Sequence, residues 1–204
     1  RHTAAIEHLD AGPFLSSLRR VKSEIEIQLI KKGCEISAQA HKAAMQFVAP
    51  NMNEQSLEAF YLYKFAEQGS RFPAYTPIVA GGEHACILHY VENDQTLNDG
   101  DLVLVDAGGE YECYASDITR TYPVNGKFSD EQLAVYKVVL EAHKQAIEAV
   151  KTGNHIMQPQ EISERVITEG LVDLGILDGK TEDLLEEGAH KNFYMHKVGH
   201  WIGL

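Results

Sequence analysis

Apolar positions along the chain recur first at helical spacing. Ser23 is followed three residues later by Glu26, the signature of a capping box. Ile25, Leu29, Ile36, Ala40 and Phe47 then mark one face up to Pro50, which predicts an amphipathic helix. A second helix is predicted from Asn53 or Glu54 to Gly69, with Leu57, Phe60, Tyr61 and Phe65 inward and the glycine just past its end. The pattern then changes. Residues 71–82 read as a short strand ending in Gly81-Gly82, and Cys86-Ile-Leu-His89-Tyr90 as another. Leu102 to Val105 is a continuous apolar run of branched side chains, as in a buried strand, and residues 113–122 read as its return partner.

Helical spacing resumes at Ser129, where Gln132 completes a second capping box. Leu133, Tyr136, Val139, Leu140, Ala146, Ile147 and Val150 form the side predicted to be buried, up to Gly153. A fourth helix takes Pro159 in its first turn and ends near Gly175, with Ile162, Val166, Ile167, Leu171 and Leu174 inward. Glu182 to Glu187 reads as a solvated acidic loop. Residues 193–204, with aromatic and branched side chains and two glycines, read as extended. The order predicts an α+β fold in which helices cover an antiparallel sheet, without the alternating rhythm of a doubly wound fold. Residues 1–22 read as the tail of something preceding, because Ala11-Gly-Pro-Phe interrupts any helix and residues 16–20 resemble a linker. Residues 23–204 read as the domain proper.

Composition narrows the class. A charged fraction of 24% in 204 residues is ordinary for a soluble globular protein. A formal charge of −12 argues against nucleic acid or an anionic membrane as partner. No apolar run approaches the ~18 residues of a membrane span, and the opening residues lack a signal-peptide core. Cys34, Cys86 and Cys113 are odd in number and lack CxxC spacing, so they read as reduced, buried thiols of a cytoplasmic protein.

The candidate chemistry gathers around residues 101–123. Asp106 ends the buried strand and Asp117 lies in its return partner. A hairpin turning near Tyr111 and Glu112 would set the two directly opposite, with Cβ atoms roughly 5 Å apart. Like charges on one face are destabilising unless neutralised, and one divalent cation, or a carboxylate-bridged pair about 3.5–4 Å apart, would neutralise them. His89 closes the strand before this hairpin. His196 and His200 stand four apart in the final segment. In an extended chain that spacing spans roughly 13 Å, which allows only one of them on a given ion and leaves open which.

Four blocks, Cys86-Ile-Leu-His-Tyr, Asp101-Leu-Val-Leu-Val-Asp-Ala-Gly, Ser116-Asp-Ile-Thr-Arg-Thr-Tyr-Pro and Met195-His-Lys-Val-Gly-His-Trp-Ile-Gly-Leu, together resemble aminopeptidase P. This is the Xaa-Pro aminopeptidase branch of the pita-bread metallopeptidases. The resemblance runs from about residue 20 to the end of the sequence. It implies that Asp106 is the bidentate ligand of one metal, Asp117 a carboxylate bridging two divalent metals, usually manganese, and His200 the histidine ligand. It implies that His89 and His196 contact substrate or shuttle protons, and that Tyr75 is an active-site tyrosine. The implied reaction is hydrolysis of the bond before a proline in second position, by a hydroxide shared between the metals. Related activities are prolidase, acting on Xaa-Pro dipeptides, and a pita-bread module that binds without catalysis. The resemblance also implies further glutamate ligands and another histidine after the last block. The expectation is therefore a truncated catalytic domain, weakly active or inactive as it stands, whose parent is an enzyme. A homo-oligomer is expected on the same ground.

Overall fold

The computed structural model describes residues 10–204, so the first nine residues of the expected tail lie outside the described residues. The chain divides into two units, Arg1–Lys127 with Trp201–Leu204, and Phe128–His200. The first unit carries helices α1 (Gly12–Arg20), α2 (Glu24–Phe47) and α3 (Glu54–Glu67). Its strands are β1 (Phe72–Pro73), β2 (Ile78–Gly81), β3 (Leu102–Asp106), β4 (Gly109–Tyr111), β5 (Tyr114–Ala115) and β6 (Thr119–Pro123). The second carries α4 (Asp130–Glu148), α5 (Gln158–Asp173) and α6 (Thr181–Glu187). Among the described residues, no helix is long and apolar enough to cross a membrane.

Both capping boxes form. The Ser23 hydroxyl accepts from Glu26 N–H while the Glu26 carboxylate accepts from Ser23 N–H at 2.6 Å, and Ser129 and Gln132 repeat the exchange at the start of α4. Residues 12–20, where Ala11-Gly-Pro-Phe was expected to interrupt any helix, form the helix α1. Pro13 falls in its first turn, where a missing N–H leaves no bond unmade.

The strands form two antiparallel sheets, β1-β4-β5 and β2-β3-β6. One register runs through the whole hairpin. Leu102 pairs with Pro123, Asp106 with Thr119, Glu110 with Ala115 and Tyr111 with Tyr114. The turn is therefore Glu112-Cys113, both at positive φ (50° and 69°), as a type I′ hairpin turn requires. This lies one residue beyond the expected turn and moves the pairing by two. Asp106 faces Thr119 rather than Asp117.

Strand alternation sends Val103, Val105 and Ala107 to the helix side. There they pack with Ile36, Ala40 and Ala44 of α2 and Leu57, Tyr61 and Phe65 of α3. Burying each of the large apolar side chains contributes ~1.5–3 kcal/mol. Leu104 lies on the other face with Ile78, Ala80 and Tyr90.

Several expectations give way. Ile25, Phe47, Val139, Ile147, Val150 and Leu174 are exposed, although Phe47 still stacks on Phe60 of α3 with centroids 4.0 Å apart. Residues 82–86 form a 3-10 turn and residues 87–89 a bend, not a strand, because Gly82 takes φ +53° and His89 φ +56°. The acidic stretch is the helix α6. Its acidic first turn suits the helix dipole, Leu184 is buried, and Gly188 ends it in the left-handed region. Residues 193–204 form no strand. The thiols are free, but Cys86 and Cys113 are exposed and Cys34 only half-buried, so the three are not core residues.

Candidate active site

Asp106 ends β3 on the sheet face away from the helices. Asp117 follows Ser116 on the return strand, where the register sets it opposite Gly108, so the two acids are diagonal neighbours on one face. Tyr75, in the connection from β1 to β2, spans the diagonal. Its hydroxyl lies 2.5 Å from Asp106 Oδ1 and 3.1 Å from Asp117 Oδ1. Burial first, and then the Asp106 carboxylate, push the Tyr75 pKa well above its ordinary value, so the hydroxyl stays a donor at neutral pH.

One hydroxyl proton cannot neutralise two carboxylates. The pair presents oxygen donors, the ligand type of hard divalent cations such as Mg²⁺ or Mn²⁺, and in that respect it fits the implied metal. Among the described residues, no group of three or more His, Cys, Asp or Glu side chains is placed to hold a metal ion. The carboxylate pair is thus the part of the expected ligand set that the structure assembles. His89 is exposed on its bend. His196 and His200 are exposed in the second unit, where His196 Nδ1 lies 2.8 Å from the Lys197 carbonyl.

Residues not singled out in the sequence hold the pair in place. Ser37 of α2 accepts from Gly109 N–H at 2.8 Å and lies 2.7 Å from Ser116 Oγ, which donates to the Gly109 carbonyl at 2.6 Å. This closed set fixes the residue before Asp117. Beneath the residue after Asp106, His41 Nε2 meets the Ala107 carbonyl at 3.0 Å. Its Nδ1 meets the Tyr61 hydroxyl at 3.0 Å, and that hydroxyl lies 3.3 Å from Tyr122 Oη. The carbonyl can only accept, so the ring carries a proton on Nε2. Sequence offered little warning, since Ser37 and His41 sit on an otherwise apolar helix face.

Burial, with the Arg120 charge adding to it, lowers the His41 pKa from 6.5. Protonation therefore favours the unfolded chain, where the ring titrates near its ordinary value. Stability is fully present above about pH 6.5 and falls as pH drops from there through the lower folded-state pKa. Melting temperature is expected to fall more steeply between about pH 7 and 5 in the wild type than in His41→Gln. Parallel curves would refute the assignment.

Residues 28–204 match the model of Metallopeptidase family M24. The chain is 52% identical over 198 residues to the Xaa-Pro aminopeptidase of Haemophilus influenzae, covering 97% of this chain and 46% of that protein. It is 43% identical over 202 residues to the Xaa-Pro aminopeptidase of Escherichia coli, covering 99% and 46%. The chain thus spans about half the length of the curated relatives it matches. Among solved structures, aminopeptidase PepP of Pseudomonas aeruginosa superposes with a TM-score of 0.90 at 49% identity, covering 93% of this chain and 44% of that one. Escherichia coli aminopeptidase P, solved in complex with substrate, superposes at 0.93 and 43% identity, covering 96% and 44%. A zinc-substituted form of that enzyme with product gives the same values. The fold is the pita-bread fold of these neighbours, and the chain belongs to metallopeptidase family M24.

Proposed function

We propose that the protein is an Xaa-Pro aminopeptidase, a hydrolase that removes the first residue of peptides carrying proline in second position. The observation that carries this reading is the Tyr75 hydroxyl shared by Asp106 and Asp117 on one sheet face. Relatives at 43–52% identity named for this activity support it. In this reading residues 23–204 belong to the catalytic domain and residues 1–22 lead into it. Asp106 and Asp117 would hold divalent cations, two Mn²⁺ ions, with His200 as a further ligand. Such cations supply Lewis-acid activation of water and of the scissile carbonyl.

The protein's own residues do the rest. Tyr75 keeps its proton and orients both carboxylates. His89 and His196 contact the peptide, and one of them delivers a proton to the departing proline nitrogen, a poor leaving group until protonated. Three free thiols agree with a reducing compartment, and we place the protein in the cytoplasm.

The test gives the full-length parent protein a tripeptide Xaa-Pro-Xaa and a dipeptide Xaa-Pro, each with Mn²⁺ and with chelator. Manganese-dependent release of the first residue from the tripeptide is the expected result. Cleavage of the dipeptide alone would make the protein a prolidase. Calorimetric binding of Mn²⁺ without cleavage of either would confine it to a cation-binding member of the family.

A further inference from the structure

The bend that carries His89 is tied down by a carboxylate that no part of the reaction uses. Glu54 opens α3 and is fully buried. Its Oε1 accepts from Gly81 N–H at 2.8 Å and lies 3.7 Å from His84 Nδ1. Its Oε2 accepts from the Tyr90 hydroxyl at 2.8 Å and from Gln95 N–H at 3.1 Å. Glu54 N–H donates in turn to the Gln95 carbonyl at 2.8 Å. One side chain thus binds the end of β2, the residue after His89 and the far end of the same loop. A buried carboxylate is stable only when its lone pairs are occupied and compensated. Here four partners surround it, at a helix N-terminus whose dipole favours negative charge.

Between these anchors, Cys86 to His89 are exposed while Tyr90 is buried and stacks on the His84 ring, with centroids 5.0 Å apart and planes 3° from parallel. The hydroxyl bond also helps push Tyr90, after burial, up to about 12. Asn93, itself buried at φ 49°, secures the loop to the approach strand through Val79 N–H and the Pro77 carbonyl at 2.9 Å each. His89 sits in the left-handed region, which is uncommon for a residue other than glycine. The next residue in the chain is Tyr90, held by Glu54.

We propose that Glu54 is the positioning residue for His89, acting through the Tyr90 hydroxyl and the Gly81 and Gln95 amides. This rests on the reading of His89 as a substrate contact, and the test is built so that the two can fail separately. The His89 ring signal is identified by NMR from its loss in His89→Gln, and its titration is followed in wild type, Glu54→Gln and Tyr90→Phe. Glutamine keeps the size of Glu54 but places a donor against a donor. Phenylalanine keeps the stacked ring and removes only the hydroxyl.

The expected result is a shifted His89 signal and titration midpoint in both variants. Amide protection at Gly81 and Gln95 should fall about tenfold or more in Glu54→Gln, while His155 of the second unit stays unmoved. A merely structural Glu54 would lower protection and leave the His89 ring where it was, and that outcome overturns the proposal. If Glu54→Gln does not fold, Tyr90→Phe decides alone by the same criterion. Should the ring move as expected while His89→Ala leaves peptide turnover and binding intact, the positioning stands and the role of His89 falls.

Discussion

Gly108→Ala is expected to destabilise the protein by about 4 kcal/mol or more, which places it among the exceptional single substitutions. An added Cβ would lie 1.8 Å from the Ser116 carbonyl oxygen, 2.6 Å from its carbon and 3.1 Å from the Asp117 nitrogen. These are backbone atoms of the facing strand, so no rotamer change relieves the clash. Overpacking against movable side chains already costs ~1–3 kcal/mol. Here the strands must part, which strains the bonds from Ala74 N–H to the Gly108 carbonyl (2.8 Å) and from Ala107 N–H to the Ile118 carbonyl (3.1 Å), as well as the Ser37–Ser116–Gly109 set. Each such bond contributes about 1 kcal/mol. Urea unfolding measures the loss. Gly33→Ala is the matched control, because its Cβ would meet nothing nearer than 3.6 Å on the interior of α2 and should be neutral or stabilising. A Gly108→Ala variant within about 1 kcal/mol of wild type would refute this account of the strand crossing.

Asp117→Asn is expected to move two quantities in opposite directions. Calorimetric affinity for Mn²⁺ should fall by about 100-fold or more, since loss of a residue that merely supports a ligand already costs 10–100-fold. Without metal, the same substitution removes one of two like charges that share the Tyr75 hydroxyl, and the chain should gain roughly 0.2–1 kcal/mol. Asparagine keeps the shape and an acceptor oxygen, so packing cannot produce this split. It is the signature of a pair kept for binding at the expense of stability. A variant that loses stability and keeps its manganese affinity would show that Asp117 is a structural residue.

What could be read from the sequence follows from which forces are local. The capping boxes at Ser23 and Ser129 need only their own turn, and both formed as expected. The pairing of the central strands was visible in the apolar run, but its register was not. Register depends on the turn, and Glu112-Cys113 carries none of the Asn or Gly that usually announces one. The bend at His89 reads as a strand because its apolar composition is strand-like, whereas Glu54, far away in the sequence, decides its shape. Asp106, Asp117 and Tyr75, singled out in the sequence, meet in the structure. The supporting shell of Ser37, His41, Tyr61 and Ser116 was not, because a buried polar network shows itself only when distant elements pack.

The two-residue turn also bears on when the acidic pair comes into being. A hairpin closes in roughly 1–10 μs, whereas contacts between remote parts of a chain bear a larger loop-closure entropy and form later. Asp106 and Asp117 are joined by one continuous register around Glu112-Cys113, so their meeting requires only neighbours in sequence. Tyr75 and Ser37 come from outside that hairpin, whereas Ser116 lies within its return strand. The placement of the two carboxylates is therefore local to one hairpin, whereas the tyrosine that joins them arrives from a remote part of the chain and bears that larger closure entropy.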